Sequence, residues 1–262
     1  MDYKLKNKKV IVSAASKGIG FEAAKLFLEE GAYVTILSSS SSNLQAAKNR
    51  LDNFKDNLLC IKCDINNKQE ILNAVAESRG KFGDVDVLVN NCGGPKPGYF
   101  NDLTEDDWVH GFNHVLMSAV RFVEAVLPDM KNNNWGRIIN ITSLSVKQPV
   151  DNLLLSNTFR SALTAFTKSL SNDVSKYNIT LNNVAPGYTH TERLDELAEI
   201  RAKDAGVSKE TIFENMASVI PMQRIGRPEE ISAMVVFLAS AQGSYINGAT
   251  IQVDGGVIKS TY

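Results

Sequence analysis

Lys8–Gly31, KKVIVSAASKGIGFEAAKLFLEEG, is the stretch whose reading decides the fold. Two lysines lead into a short apolar run, Val10, Ile11 and Val12. A small-residue turn follows, Ser13-Ala14-Ala15-Ser16-Lys17-Gly18-Ile19-Gly20, and Ala23, Ala24, Phe27 and Leu28 then recur at helical spacing. A buried strand, a tight turn and a helix N-terminus, in that order, make an anion site, because unpaired N–H groups and the helix dipole favour a phosphate. Side chains at Gly18 or Gly20 would hold a pyrophosphate off the backbone or spoil helix-to-sheet packing. The stretch therefore predicts a dinucleotide site.

Outward from this turn, strands alternate with helices. Ala32–Leu37 reads as a second strand, ending in five serines from Ser38 to Ser42. Residues 43–54 read as a helix, Leu58–Ile65 as a third strand ending near Asp64, and Gln69–Phe82 as a helix. Val85–Val89 is a fourth strand, apolar enough for burial on both faces, and runs into Asn90-Asn91-Cys92-Gly93-Gly94. Asp106–Met130 carries a long helical pattern, interrupted near its middle and ending around Pro128. Strand five is Gly136–Thr142, followed by an amphipathic helix over Asn157–Lys176. Ile179–Val184 is strand six, stopping at Pro186-Gly187. Residues 191–222 are more polar and helical in fragments, which suits an insertion over a cleft. A helix over Pro228–Ala239 and a strand at Thr250–Val253 close the series, before Asp254-Gly255-Gly256. The pattern predicts an α/β fold, a Rossmann-type doubly wound parallel sheet of about seven strands. It forms a single domain over residues 1–262, with a helical lid at 188–222. Ligands in such sheets bind beyond the carboxyl ends of the strands.

Composition narrows the function classes. A net charge of −1 offers no field for nucleic acid or an anionic membrane. No apolar run approaches the roughly 20 residues of a membrane span. The charged N-terminus has no signal-peptide core, and three cysteines suit a reducing compartment, so a cytoplasmic location is expected. Cys60 and Cys63 form a C-x-x-C, but residues three apart on a strand face opposite ways, against a shared metal or disulfide. His110 and His114 lack the acidic partner of a metal motif and read as surface residues; no metal is expected. At the end of strand two, where an acidic residue would bind the ribose of NAD, stand Ser38 and Ser39. With Lys17 in the turn they favour the 2′-phosphate of NADP.

Several ordered motifs together carry a resemblance. The chain resembles the classical short-chain dehydrogenases/reductases, especially the branch of 3-oxoacyl-carrier-protein reductases. Ser13 through Gly20, with Ser16, Lys17, Gly18 and Ile19 between, stands where that family has T-G-x-x-x-G-I-G. Asp64-Ile65 falls at the adenine contact, and Asn90-Asn91-Cys92-Gly93 stands for N-N-A-G beside the cofactor. Asn113 matches the active-site helix asparagine, and Ser143 the serine that holds the substrate oxygen. Pro186-Gly187 with Thr191 matches the P-G loop, and Asp254-Gly255-Gly256 the C-terminal D-G-G. The resemblance implies an NAD(P)-dependent oxidoreductase acting on a small-molecule carbonyl or alcohol. It also implies a homo-oligomer, dimer or tetramer, built through the helices near 110–130 and 157–176 and the last strand.

Two departures qualify the resemblance. The family's acid/base tyrosine and its ribose-binding lysine fall at Ser156 and Arg160. An aliphatic hydroxyl is a far weaker acid than a phenol of pKa about 10. Arginine can bind a ribose hydroxyl but cannot relay a proton. Loss of a general acid typically costs roughly 10²–10⁴ in rate. Tyr188 in the P-G loop is the first candidate for a substitute acid, followed by Tyr99, His190 and Lys147. In the phosphate turn Ala14 replaces a glycine and Ser13 a threonine, so alanine is strained there by roughly 1 kcal/mol if the backbone needs positive φ. The alternatives are a nucleotide-binding homologue without catalysis, serving as sensor or subunit partner, and a lyase or hydratase on the same scaffold.

Overall fold

A computed structural model of the chain describes residues 2–261. Its strands are β1 (Lys9–Val12), β2 (Tyr33–Ser38), β3 (Leu58–Lys62), β4 (Val87–Asn90), β5 (Gly136–Ile141), β6 (Ile179–Pro186) and β7 (Thr250–Val253). They form one parallel sheet in the order β3-β2-β1-β4-β5-β6-β7. β1 pairs with β2 on one side and β4 on the other, Val10 lying opposite both Val34 and Val87. The strand order reverses there, so the ligand crevice opens beyond Val12 and Asn90.

Side-chain alternation along the strands divides the core. Val10 and Val12, with Val34, Ile36, Val87 and Val89, pack against α1 (Gly18–Glu29), α2 (Ser41–Arg50) and α9 (Pro228–Ala239). Ile11, Leu37, Leu88 and Ile138 face the other way, onto α3 (Lys68–Phe82) and α5 (Ser118–Asn132). Cys60 packs with the first layer and Cys63 with the second. The remaining helices are α4 (Glu105–Gly111), α6 (Leu154–Val174), α7 (Glu192–Ala205) and α8 (Lys209–Ser218).

Several boundaries differ from the sequence expectation by a few residues, two of them on long helices. α5 does not end at Pro128 but runs through it to Asn132, and α6 begins three residues before Asn157. A proline removes one helical hydrogen bond. Burial of Val126 and Met130 on either side of it holds the last turn in place, and packing outweighs propensity. Between α4 and α5 the chain makes a π-helical turn over Phe112–Met117, the expected interruption. Among the described residues no helix is long and apolar enough to cross a membrane.

Beneath the crevice runs a buried polar ladder. Asn90 Nδ2 donates to Asn140 Oδ1 at 2.8 Å, Asn140 Nδ2 to Asn183 Oδ1 at 3.2 Å, and Asn183 Nδ2 to Thr250 Oγ1 at 3.0 Å. Thr167 of α6 joins it at Asn140, 2.8 Å away. Paired buried amides rigidify and fix register, so β4 to β7 present their carboxyl ends at set heights.

Candidate active site

The phosphate turn is built for close approach. Gly18 has φ +57°, and a Cβ at Gly20 would lie 2.7 Å from Asn91 Nδ2 and 2.9 Å from the Ala14 carbonyl. α1 starts at Gly18 with no side-chain cap and no acidic residue in its first turn. Its leading N–H groups therefore point at the crevice without a protein acceptor, the arrangement that takes a pyrophosphate. Ala14 has φ +46°, the left-handed conformation that alanine avoids. Ser13 braces the turn: its Oγ donates to the Asn91 carbonyl at 2.7 Å and accepts the Asn91 N–H at 2.8 Å. Asn91 Nδ2 in turn donates to the Ala14 carbonyl at 2.9 Å. The side chains of Ser13 and Asn91 thus hold the loop, and Gly18, Ile19 and Gly20 offer backbone to the crevice. These features fit a dinucleotide.

The β2 end divides its serines. Ser38 is buried and accepts from Ser16 Oγ at 3.0 Å and from the Ser40 N–H at 3.3 Å, while Ser39 and Lys17 are exposed beside the turn. At the β3 end Asp64 accepts the Asn66 backbone and side-chain N–H groups on Oδ1, and Ile65 is buried in the core.

Beyond β5 the hydroxyls cluster. Ser143 Oγ accepts the Ser145 N–H at 3.2 Å, which leaves its own proton free to donate. Ser145 and Ser156 are both buried, with their Oγ atoms 3.5 Å apart, longer than a well-made O–H···O bond. Arg160 is 6% exposed, and its Nη1 donates to the carbonyls of Ile141 and Thr142 at 2.9 and 2.7 Å. Its Nη2 reaches Cys92 Sγ at 3.9 Å. A fixed positive charge therefore lies against the peptide leading into Ser143.

The π-turn changes what the helix presents. Asn113 donates to the Val109 carbonyl at 3.0 Å and accepts from Arg121 Nη2 at 2.9 Å, so both ends of its amide are engaged within its own helical segment. His114 is half-buried, correcting its reading as a surface residue. Its Nδ1 lies 3.3 Å from Asn66 Oδ1, its Nε2 would be 3.6 Å from a Cβ on Gly93, and it stacks on His110 at 5.5 Å. Burial, then His110 and Arg160, push its pKa down to about 4. His114 is neutral at pH 7 and lies near enough to Arg160 to feel its charge, which its place in the sequence gave no signal of. Ser145 is likewise absent from the sequence reading. Among the described residues no group of three or more His, Cys, Asp or Glu is placed to hold a metal ion.

The P-G loop closes against the C-terminal turn. A Cβ at Gly187 would lie 2.7 Å from Asp254 Cα, and Pro186 pairs with Val253. Thr191 caps α7 by accepting the Leu194 N–H, and its methyl would be 3.2 Å from a Cβ on Gly18, so α7 begins directly over the phosphate turn. Tyr188 lines a recess of about 380 Å³ with Met222, Arg224, Glu230, Gln252 and Gly255. His190 is exposed and paired with Asp195 at 3.3 Å, and Tyr99 is 60% exposed over its own short turn. Lys147 is half-buried one turn beyond Ser143.

The family of proteins defined by this fold and site is shown by sequence. A family model described as Enoyl-(Acyl carrier protein) reductase matches residues 13–258, and the chain belongs to this short-chain dehydrogenase/reductase family of oxidoreductases. It is 33% identical to the uncharacterized oxidoreductase YvrD of Bacillus subtilis (strain 168), over 99% of this chain and all of that one. It is 30% identical to the NADPH-dependent reductase BacG of the same organism, over 95% and 97% of the two chains. A solved structure of L-sorbose reductase from Gluconobacter frateurii, complexed with NADPH and L-sorbose, superposes with a TM-score of 0.94. Identity there is 30%, over 99% of this chain and 100% of the other.

Proposed function

We propose that the protein is an NADPH-dependent reductase of a small carbonyl compound. The observation that carries this reading is the uncapped, glycine-built α1 N-terminus aligned with the Ser143 hydroxyl across the carboxyl ends of β1, β4 and β5. Gly18, Ile19 and Gly20 would hold the pyrophosphate, Asp64 the adenine side, and Lys17 with Ser39 the 2′-phosphate. Ser16 and Ser38 support that edge. Pro186, Gly187 and Thr191 would close the nicotinamide end, under residues 188–222 acting as lid. When bound, NADPH supplies the hydride.

The chain's own residues handle the oxygen. Ser143 donates a hydrogen bond to the carbonyl oxygen, and the Arg160 guanidinium, held behind Thr142, favours negative charge developing there. Ser156 and Ser145 extend the hydroxyl cluster inward, and Asn113 fixes the π-turn that carries His114. With no phenol at position 156, the product's proton comes from water, and turnover falls below that of a tyrosine enzyme by roughly 10²–10⁴. The supporting relatives carry NADPH in their names or titles.

A second reading rests on one observation: Arg160 is bonded to two main-chain carbonyls and Ser156 is buried, so both positions serve to hold structure. On that reading the chain binds nucleotide without reducing anything. Fluorescence titration with NADPH and NADH, followed by turnover on a panel of ketones and aldehydes, tests both. Micromolar NADPH binding with slow, Ser143-dependent oxidation supports the reductase. Binding without turnover supports the second reading, and no binding at millimolar nucleotide ends both. We also infer a homo-oligomer, assembled through the α4 and α6 face.

A further inference from the structure

One cation beside the crevice has no partner among the described residues. Arg193 stands in the first turn of α7, where the positive helix end disfavours a cation. Its guanidinium lies on the loop after β4: a Cβ at Gly94 would be 2.9 Å from Nη2 and 3.3 Å from both Cζ and Nε. Gly94 is not among the glycines of positive φ, so its backbone makes no demand for glycine. The three nearest atoms that its missing side chain would meet all belong to Arg193. The glycine makes the seat of the guanidinium. Arg79 and Arg224 are paired with Asp129 and Glu230, each at 2.6 Å. Arg193, by contrast, is exposed and has no hydrogen bond or ion pair among the described residues.

The seat lies at the reacting end. Neighbouring Gly93 lies against the His114 ring, and Cys92 touches Arg160, whose carbonyl partners lead into Ser143. Thr191 lies over Gly18 of the phosphate turn, whose α1 N-terminus and Lys17 already serve the dinucleotide's phosphates, whereas Arg193 reaches from there to Gly94. A planar guanidinium presents a fork of donors that matches a carboxylate two bonds at a time. We propose that Arg193 selects a carbonyl substrate bearing a carboxylate, drawing the anion against the Gly93-Gly94 loop while Ser143 holds the carbonyl oxygen. This specificity rests on the reductase reading.

Calorimetry with acetoacetate and 4-oxopentanoate, each against its methyl ester, tests it on the protein with and without bound NADP⁺. The wild type should bind each acid at least tenfold more tightly than its ester. Arg193→Gln should erase that ratio while leaving NADPH affinity within twofold, and Arg193→Lys should keep part of it. Gly94→Ala, which fills the seat but keeps the charge, should lower the ratio as well. Equal binding of acid and ester by the wild type overturns the proposal. So does an Arg193→Gln protein that loses NADPH affinity tenfold with its acid preference intact, since the guanidinium would then serve the cofactor. Loss of NADPH binding in the wild type ends the reductase reading instead, and the acid-to-ester ratio of the nucleotide-free protein still decides the role of Arg193.

Discussion

Ala14 holds φ +46° because Asn91 and Ser13 clamp the turn around it. A left-handed alanine costs about 1–2 kcal/mol, and the extra unfolded-state freedom of glycine takes back about 0.4–1 kcal/mol. Ala14→Gly should therefore stabilise the protein by about 0.5–1 kcal/mol, read as a rise in Tm of roughly 1–3 °C. A fall in Tm would show that the methyl group contributes packing that outweighs the strain. Gly20→Ala differs in kind, because its Cβ would meet the backbone oxygen of Ala14, which cannot swing aside. It should cost about 1–3 kcal/mol and weaken NADPH at least tenfold in the same titration. Wild-type affinity in that variant would remove the phosphate role from the turn. One position thus gains from losing a methyl and its neighbour suffers from gaining one.

At the scale of the element, the π-turn at Phe112–Met117 decides what the active-site helix offers. It sends Asn113 to Val109 and Arg121 and turns His114 inward. His114 has a folded pKa of about 4 against an ordinary 6.5. Between those values the unfolded chain binds a proton that the native protein refuses. Stability should thus be full above pH 6.5, fall as pH drops toward 4, and level off below it. Burial is the largest cause of the shift, with His110 and Arg160 adding to it and Asp64 and the Gly93 backbone opposing it. His114→Gln should flatten Tm between pH 6.5 and 4, and an unchanged slope would assign the acid sensitivity elsewhere. The same element shows the limit of what was legible beforehand. Alternation of Val10 and Val12 against Ile11, and the strand–helix rhythm, predict the parallel sheet and place the crevice, since both follow from burial along one element. Register alone brings Ser156 and Arg160 to the end of β5, where they meet Ser145 and the Thr142 carbonyl. The sense in which a π-turn rotates a helix, the recess Tyr188 enters and the seat Arg193 takes on Gly94 depend on neighbours distant in sequence. Local propensity carries no trace of them. Pro128 misleads for the same reason: Val126 and Met130 are held by packing that the proline cannot signal.

For the whole molecule, the surface left over by the sheet and its two helix layers becomes the question. Trp108 and Phe159 meet edge to face at 5.8 Å and Phe112 meets Phe159 at 6.0 Å, joining α4, the π-turn and α6 in one aromatic cluster. Val109 is 54% and Phe112 40% exposed, one turn apart on that surface, with Tyr99 at 60% and Phe100 at 74%. A contiguous apolar face of this kind marks a contact surface, and a stable one buries about 1,200–2,000 Å² in total. The π-turn belongs to this face and carries His114 into the site, so assembly through it would couple to the shape of the pocket. Val109→Asp places a charge where copies would meet and touches nothing buried, so its intrinsic effect on the protomer should stay within about 0.5 kcal/mol. Light scattering should give a dimer or tetramer for the wild type and a smaller species for the variant. The wild-type Tm should rise with protein concentration, whereas that of the variant should not. A wild type that is monomeric at tens of micromolar would remove the interface, and would leave Val109 and Phe112 as an exposed apolar strip whose occupant is some other protein.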